Sequence, residues 1–197
     1  EAEPEGLDPT RYAFSGSGHF VASAVMEPLA TLDENSEPVP YLAESIEANE
    51  DSTVWTITIP DAVTFHDDTA LTADVVVQNL EAYRESYITK AGMVSIETIE
   101  AIDDTTVVVT LAEPFVSFDA ALATQFGGYI IAPAMLEDPA LVNAPIGTGP
   151  YVFESHIANE SWTFTANPDY RREDRPYLDS IEFRPIVDNV ARQESLE

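Results

Sequence analysis

The sequence predicts a mixed α/β protein, of α/β or α+β type, built around a mixed sheet. Residues 53–59 alternate apolar and hydroxyl side chains, which is typical of a strand with one covered face. Residues 73–83 carry an apolar stripe at helical spacing directly after Thr72, a residue type that caps helix starts. Residues 94–102 and 105–111 predict an antiparallel hairpin. Because strands and helices interleave along the chain and several strands form hairpins, we expect a mixed sheet.

The N-terminal segment predicts little regular structure before its first apolar run. Residues 1–11 are polar and contain proline and glycine, so we expect a loose lead-in. Residues 12–18 contain two glycines among small side chains, which favours a loop that approaches another group closely. The apolar spacing of residues 20–32 predicts a short helix ended by Pro28 and followed by a brief strand. Residues 33–38 predict a turn.

The second half predicts further short elements. Ser117 is placed to cap a short helix to residue 123, and residues 129–132 predict a small buried strand. Residues 147–151 predict a tight turn that feeds a strand, and a second strand follows it. Residues 177–184 predict another strand, which runs into a helix from about Asp188.

Composition limits the classes of partner. The chain has 197 residues, 45% of them hydrophobic, so it can bury a real core despite its charge. The 36 Asp and Glu against 8 Lys and Arg give a formal net charge of −28, which repels phosphate backbones and anionic lipids. We therefore expect no nucleic-acid partner. The acidity is typical of a solvated surface, and pairing with a cationic ligand is the alternative.

No catalytic or cofactor-binding pattern emerges from the residues. The chain has no cysteine and one lysine, which rules out thiolate chemistry and confines lysine chemistry to one position. His66-Asp67-Asp68 is the densest group of metal-capable side chains, but neighbouring residues point in different directions, so a polar turn is favoured over a metal site. Gly147-Thr148-Gly149 lacks the lysine of a phosphate-binding loop. The sequence calls for no metal and no cofactor; a carboxylate-dependent hydrolase and a standalone interaction module remain alternatives.

The order of several short segments is more specific than any one of them. The chain resembles the peptide/nickel class (family 5) of solute-binding proteins of ABC transporters, in its N-terminal portion. The matching segments are Glu27-Pro28-Leu29 and residues 39–45, 55–59, 63–76, 145–151, 167–170 and 178–184. Two positions depart from the family pattern: Asp68 stands where a glycine is usual, and Arg171 stands where an aromatic residue is common.

The resemblance implies a periplasmic-binding-protein-like fold of type II that closes two lobes on a ligand. It assigns residues 1–35 and 145–197 to a discontinuous first lobe and residues 36–144 to an inserted mixed-sheet subdomain. It also implies that the second lobe is absent and that the chain is a fragment. The turn at residues 147–150 is then the return from the subdomain to the first lobe rather than a ligand cradle.

The same resemblance implies a non-enzymatic, monomeric, extracytoplasmic receptor, a lipoprotein or a periplasmic protein. It would bind a peptide or similar small solute and deliver it to an ABC permease in the membrane. The ligand would run past the loop after Leu7-Asp8-Pro9 and past the segment before the 147–150 turn. The residues expected to line it are Tyr12, Phe14, Ser15, Gln125, Phe126, Gly127 and Tyr129. Core packing is the alternative role for Phe14 and Phe126.

Overall fold

The computed structural model describes residues 3–93, 95–124, 127–186, 188 and 193. The helix predicted from about Asp188 lies outside the described residues, apart from residues 188 and 193. The helices are α1 (Gly16–Val25), α2 (Ala73–Glu85), α3 (Phe118–Ala121) and α4 (Pro133–Glu137), with 3-10 turns at Lys90–Gly92 and Pro139–Asn143. The strands are β1 (Glu27–Pro28), β2 (Ala30–Leu32), β3 (Pro38–Pro40), β4 (Ser45–Ala48), β5 (Val54–Thr58), β6 (Ile96–Ala101), β7 (Thr106–Leu111), β8 (Tyr129–Ile130), β9 (Tyr151–Ile157), β10 (Ser161–Ala166) and β11 (Ser180–Phe183).

The middle of the chain forms a four-stranded antiparallel sheet in the order β4-β5-β7-β6. The predicted hairpin is confirmed as β6 and β7, and the predicted strand at 53–59 is confirmed as β5. Helix α2 packs on β6 and β7, and Thr72 caps it by accepting a hydrogen bond from the Val75 N–H at 3.4 Å. The buried side chains of this face, with Trp55 and Leu80 among them, form the first hydrophobic cluster. Burying each such large apolar side chain contributes about 1.5–3 kcal/mol.

A second hydrophobic cluster joins the N-terminal segment to the last three strands. Strands β9, β10 and β11 form an antiparallel sheet in the order β11-β10-β9. Its buried Trp162 and Phe164 pack with Leu7, Val25 and Met26 from the first part of the chain. The two clusters meet where β1 pairs with β8 in the register Glu27↔Ile130 and Pro28↔Tyr129. The proposed division at residues 36–144 stays a prediction.

The Glu3 side chain is hydrogen-bonded to the hairpin of β9 and β10. The Glu3 carboxylate accepts hydrogen bonds from the Asn159 N–H at 2.6 Å and from Trp162 Nε1 at 3.1 Å, and it also contacts His156 Nε2. The His156 ring stacks on Trp162 with centroids 3.9 Å apart. Burial raises the pKa of Glu3, but the hydrogen bonds from His156, Asn159 and Trp162 outweigh it, so the pKa is lowered. Glu3 is therefore held as a carboxylate at neutral pH.

Helix α1 corrects the expectation of a loop at residues 12–18. The helix begins at Gly16 because Ser15 caps it, accepting a hydrogen bond from the Gly18 N–H at 3.3 Å. It ends at Val25, before β1 and Pro28, rather than at Pro28 itself. Helix α3 is also shorter than predicted, and the Ser117 side chain makes no capping hydrogen bond to it. Glycine is a poor helix former, so the two glycines in the first turn of α1 weaken the sequence signal for a helix there.

Candidate functional site

The loop before α1 is anchored to the protein at its start. The Leu7 N–H donates to the Val142 carbonyl at 2.7 Å, and Leu7 and Asp8 are fully buried. The Asp8 carboxylate accepts from the N–H and the hydroxyl of Thr10 at 2.8 and 2.7 Å. Its other oxygen lies 3.0 Å from Arg11 Nε, and Arg11 donates through Nη2 to the Leu136 carbonyl at 2.8 Å. These contacts fix the direction in which residues 12–15 leave the core.

Phe14 and His19 both lie against Tyr129, and we call these three side chains, together with Tyr12 of the same hydrophobic cluster, the aromatic wall. Phe14 and Tyr129 are 7% and 3% exposed, and their ring centroids lie 6.3 Å apart. The His19 and Tyr129 rings lie 5.6 Å apart, and the Tyr129 hydroxyl is 3.3 Å from His19 Nδ1. Tyr12 is half-buried against the same hydrophobic cluster. His19 is exposed, so the wall presents its imidazole at the surface, with the phenol of the buried Tyr129 next to it.

The phenol of Tyr129 is neutral across the physiological pH range. Burial raises its pKa, and the nearby Tyr41 hydroxyl adds to the rise. A neutral phenol can both donate and accept a hydrogen bond. The wall therefore combines aromatic side chains with a hydroxyl and an imidazole, a combination typical of small-molecule sites.

The predicted site residues fall into three groups. Phe14 and Tyr129 lie side by side and are both buried in the second hydrophobic cluster, and Tyr12 packs on the same cluster beside Gly6. Ser15 adjoins them, but its side chain is engaged in capping α1. Gly127 lies beside Met93: a Cβ atom there would come within 2.0 Å of Met93 Cε, so this glycine permits close packing. Gln125 and Phe126 lie outside the described residues. Whether any of these residues binds ligand stays a prediction.

His19 is a candidate that the sequence pattern did not reveal. It lies four residues after Ser15, and it shares a face with the aromatic wall only because α1 begins at Gly16. Recognising Ser15 as a helix cap would have predicted this position. The other two histidines have structural partners: His156 stacks on Trp162, and His66 packs on the 147–150 turn.

The 147–150 turn is built into the protein by hydrogen bonds to its backbone. Gly149 N–H donates to the Val25 carbonyl at 2.8 Å, and the Asn167 amide donates to the Gly149 carbonyl at 3.1 Å. His66 Nε2 lies 2.9 Å from the same Gly149 carbonyl, so this nitrogen carries the proton. A Cβ at Gly147 would stand 2.2 Å from the Val25 carbonyl oxygen. The turn therefore has a packing role, in line with the expectation that it does not cradle a ligand.

A buried carboxylate ties β1 to the segment after β10. Glu27 is 1% exposed and accepts hydrogen bonds from the hydroxyls of Thr148 at 3.0 Å and Tyr170 at 2.8 Å. Arg171 binds the same carboxylate through two nitrogens, at 3.2 and 3.1 Å. Arg171 Nη2 also donates to the Tyr41 carbonyl at 2.6 Å. The arginine that departs from the family pattern thus neutralises a buried acid.

The described residues contain no group of three metal-capable side chains that could hold an ion. This includes the His66-Asp67-Asp68 segment. Of the helices in the described ranges, none is long and apolar enough to cross a membrane.

Comparison with known proteins assigns the fold and the family. The fold is that of type II periplasmic binding proteins, and this chain corresponds to their first part. Residues 37–197 match the model of the bacterial extracellular solute-binding proteins, family 5 Middle. The chain therefore belongs to family 5 of the bacterial extracellular solute-binding proteins, which confirms the resemblance seen in the sequence.

Two curated relatives and one solved structure illustrate the range of the family. The nickel-binding periplasmic protein of Escherichia coli K12 is 29% identical over 100% of this chain and 38% of its own length. The glutathione-binding protein GsiB of Pectobacterium atrosepticum is 31% identical over 90% of this chain and 35% of its own length. The structure of AgaA with agropinic acid, from A. tumefaciens R10, has a TM-score of 0.91 at 28% identity and covers 99% of this chain and 40% of AgaA. The chain thus spans about two fifths of the length of each protein.

Proposed function

We propose that this chain is part of the extracytoplasmic solute-binding component of an ABC importer for oligopeptides or related small solutes. The observation that carries the proposal is the family match over residues 37–197. A relative named as glutathione-binding supports a small peptide or peptide-like ligand, since glutathione is itself a tripeptide. The role is binding and delivery to a membrane permease, without chemistry on the solute.

The aromatic wall is the proposed ligand contact of this chain. The half-buried Tyr12 supplies apolar area and the buried Phe14 packs on Tyr129, while the Tyr129 hydroxyl and the His19 imidazole supply two adjacent polar groups. Both polar groups can donate or accept, which suits amide and carboxylate groups of a peptide. The wall reaches the surface at His19 and Tyr12, so it covers one side of a ligand only. Because a ligand held on one side keeps much of its surface in water, we infer that this chain alone binds weakly.

The architecture of the proposed receptor follows the lobe division. Residues 1–35 and 145–197 form the first lobe and residues 36–144 the inserted subdomain, and closure on the solute brings a second lobe over the aromatic wall. The protein acts as a monomer at the outer face of the cytoplasmic membrane, either periplasmic or lipid-anchored.

The proposal is tested by proton NMR, with reduced glutathione, a tripeptide mixture and Ni²⁺ as separate probes. The chain has three histidines, so the imidazole resonance of His19 can be assigned with the variant His19→Gln. We expect one probe to shift the His19 resonance with a Kd of about 0.1–10 mM, because only one wall is present. Tyr129→Phe should weaken this response, whereas His156→Gln, which alters an imidazole engaged with Trp162 and Glu3, should leave it unchanged.

Two results would contradict the proposal in different ways. Binding with a Kd below about 1 μM by the chain alone would show that contact with the aromatic wall on one side does not limit the affinity. A set of solutes that perturbs other resonances but never His19, with no effect of Tyr129→Phe, would place the ligand elsewhere.

A further inference from the structure

Strand β8 has one edge paired with β1 and a second edge that faces helix α2. In an antiparallel pair, the backbone groups of alternate residues point toward the partner strand and away from it. The β1 side is occupied: the Leu29 N–H donates to the Gly128 carbonyl at 2.8 Å, and Glu27 lies opposite Ile130. The backbone groups of Tyr129 and Ile131 that point to the other edge are buried and need partners.

Two buried side chains of α2 supply those partners. Asn79 donates through Nδ2 to the Ile131 carbonyl at 3.0 Å and accepts the Ile131 N–H through Oδ1 at 3.0 Å. Tyr83 donates its hydroxyl to the Tyr129 carbonyl at 2.7 Å. Asn79 and Tyr83 have no exposed surface. The two side chains together take the place of a neighbouring strand.

The spacing on the helix matches the spacing on the strand. Asn79 and Tyr83 lie four residues apart, which is about 6 Å along a helix. Tyr129 and Ile131 lie two residues apart, which is about 6.6 Å along a strand. The match is antiparallel, since the later helix residue bonds the earlier strand residue. A shift of β8 by one residue would break all three hydrogen bonds and turn the Tyr129 side chain to the other face.

The Tyr83 hydrogen bond reaches the Tyr129 backbone, and the Asn79 bonds reach Ile131, whereas the contacts with His19 and Phe14 are made by the Tyr129 side chain. Tyr83 and His19 therefore act on the same residue from opposite sides: Tyr83 bonds the carbonyl, and His19 lies beside the hydroxyl. Burial, and next the charge of Asp8, raise the pKa of Tyr83, so its hydroxyl stays protonated as a donor. Asn79 keeps an additional bond to the Val75 carbonyl at 2.9 Å, which fixes its amide orientation.

We propose that Asn79 and Tyr83 are positioning residues for ligand recognition, because they hold Tyr129 in register against His19 and Phe14. Neither side chain belongs to the aromatic wall: Tyr83 reaches Tyr129 through the backbone carbonyl, and Asn79 bonds the backbone of Ile131. The importance of this register for the ligand rests on the proposed function. The register itself does not, and it can be measured without any ligand.

The test compares Tyr83→Phe with Thr89→Val in the same chain. Tyr83→Phe removes only the hydroxyl that reaches Tyr129. Thr89→Val removes a buried hydroxyl four residues beyond the end of α2, which donates to the Tyr83 carbonyl at 2.7 Å and does not reach β8. We expect Tyr83→Phe to shift the His19 imidazole resonance and Thr89→Val to leave it in place. Asn79→Asp, which removes the amide donor, should shift the same resonance.

A ligand arm uses whichever probe shifts the wild-type resonance, with reduced glutathione tried first. We expect Tyr83→Phe to raise its Kd about fivefold, the usual effect of one lost hydrogen bond, with no change in Thr89→Val. An unmoved His19 resonance in Tyr83→Phe would overturn the inference, as would equal shifts in both variants. Failure of the proposed function looks different: no probe perturbs wild-type His19, while Tyr83→Phe still moves its resonance.

Discussion

Replacing Arg171 with methionine should destabilise the protein strongly, although the side chain lies near the surface. The substitution keeps most of the apolar stem and removes the guanidinium. Glu27, which is 1% exposed, then loses two of its four hydrogen bonds and its only cation among the described residues. The hydroxyls of Thr148 and Tyr170 remain as donors to the carboxylate.

The magnitude follows from the cost of a buried charge without its partner. Removing one partner of a buried ion pair lowers the free energy of unfolding by about 3–5 kcal/mol. The two remaining hydroxyls and the 23% exposure of the Arg171 side chain reduce this, so we expect about 3 kcal/mol. For a chain of this size such a loss lowers Tm by about 6–12 °C. Arg184→Met is the matched control, because Arg184 pairs with Glu182 at 67% and 41% exposure and should leave Tm almost unchanged.

Urea unfolding followed by circular dichroism measures these values, with the double variant Glu27→Gln/Arg171→Met completing a cycle. The double variant should be more stable than Arg171→Met alone, because it removes the unpaired charge. A cost below 1 kcal/mol for Arg171→Met, or a double variant less stable than the single one, would refute this reasoning.

Three further outcomes are expected. Gly147→Ala should lower the free energy of unfolding by about 2 kcal/mol or more, because its Cβ would lie 2.2 Å from the Val25 carbonyl oxygen. Gly92→Ala is the control and should be near neutral, because a Cβ there meets nothing within 4 Å. Equal urea midpoints for the two variants would contradict this. Burial, as the largest cause, lowers the pKa of His66, so the unfolded chain binds a proton before the folded protein does. The free energy of unfolding should therefore fall as the pH drops through about 6.5, and it should fall less steeply in His66→Gln. Equal pH slopes in the two proteins would count against this prediction. Raising NaCl from 0.1 to 1 M shortens the screening length from about 10 to about 3 Å; Tm should rise because the net charge is −28, and a falling Tm would exclude self-repulsion as the dominant effect.

The elements with strong local periodicity could be predicted from the sequence. Strand β5, helix α2 and the β6–β7 hairpin lie where alternation, capping and helical spacing predicted them, because the apolar residues of each hydrophobic face recur at regular spacing within the element. Helix α1 could not be placed well, since Gly16 and Gly18 weaken the helical signal and the cap at Ser15 decides its start.

The interactions that define the candidate site are long-range and left little trace in local patterns. Asn79 looks like an ordinary polar residue of a helix, and its partner Ile131 lies 52 residues away. Arg171 looked only like a departure from the family pattern until Glu27, 144 residues earlier, was seen to bind it. Tyr12, Phe14 and Tyr129 could be proposed because the family resemblance supplied the neighbourhood that spacing alone does not.

The two tryptophans lie in different hydrophobic clusters, and this gives the protein a pair of built-in optical reporters. Trp55 is buried in the first cluster with an indole nitrogen that meets no acceptor among the described residues, so its emission should be strongly blue-shifted. Trp162 belongs to the second cluster and stacks on His156, a contact that can quench its fluorescence. Single-tryptophan variants, Trp55→Phe and Trp162→Phe, would therefore follow the melting of each cluster by colour and intensity. Separate melting curves would mean that the inserted segment and the flanking sheet behave as distinct cooperative units.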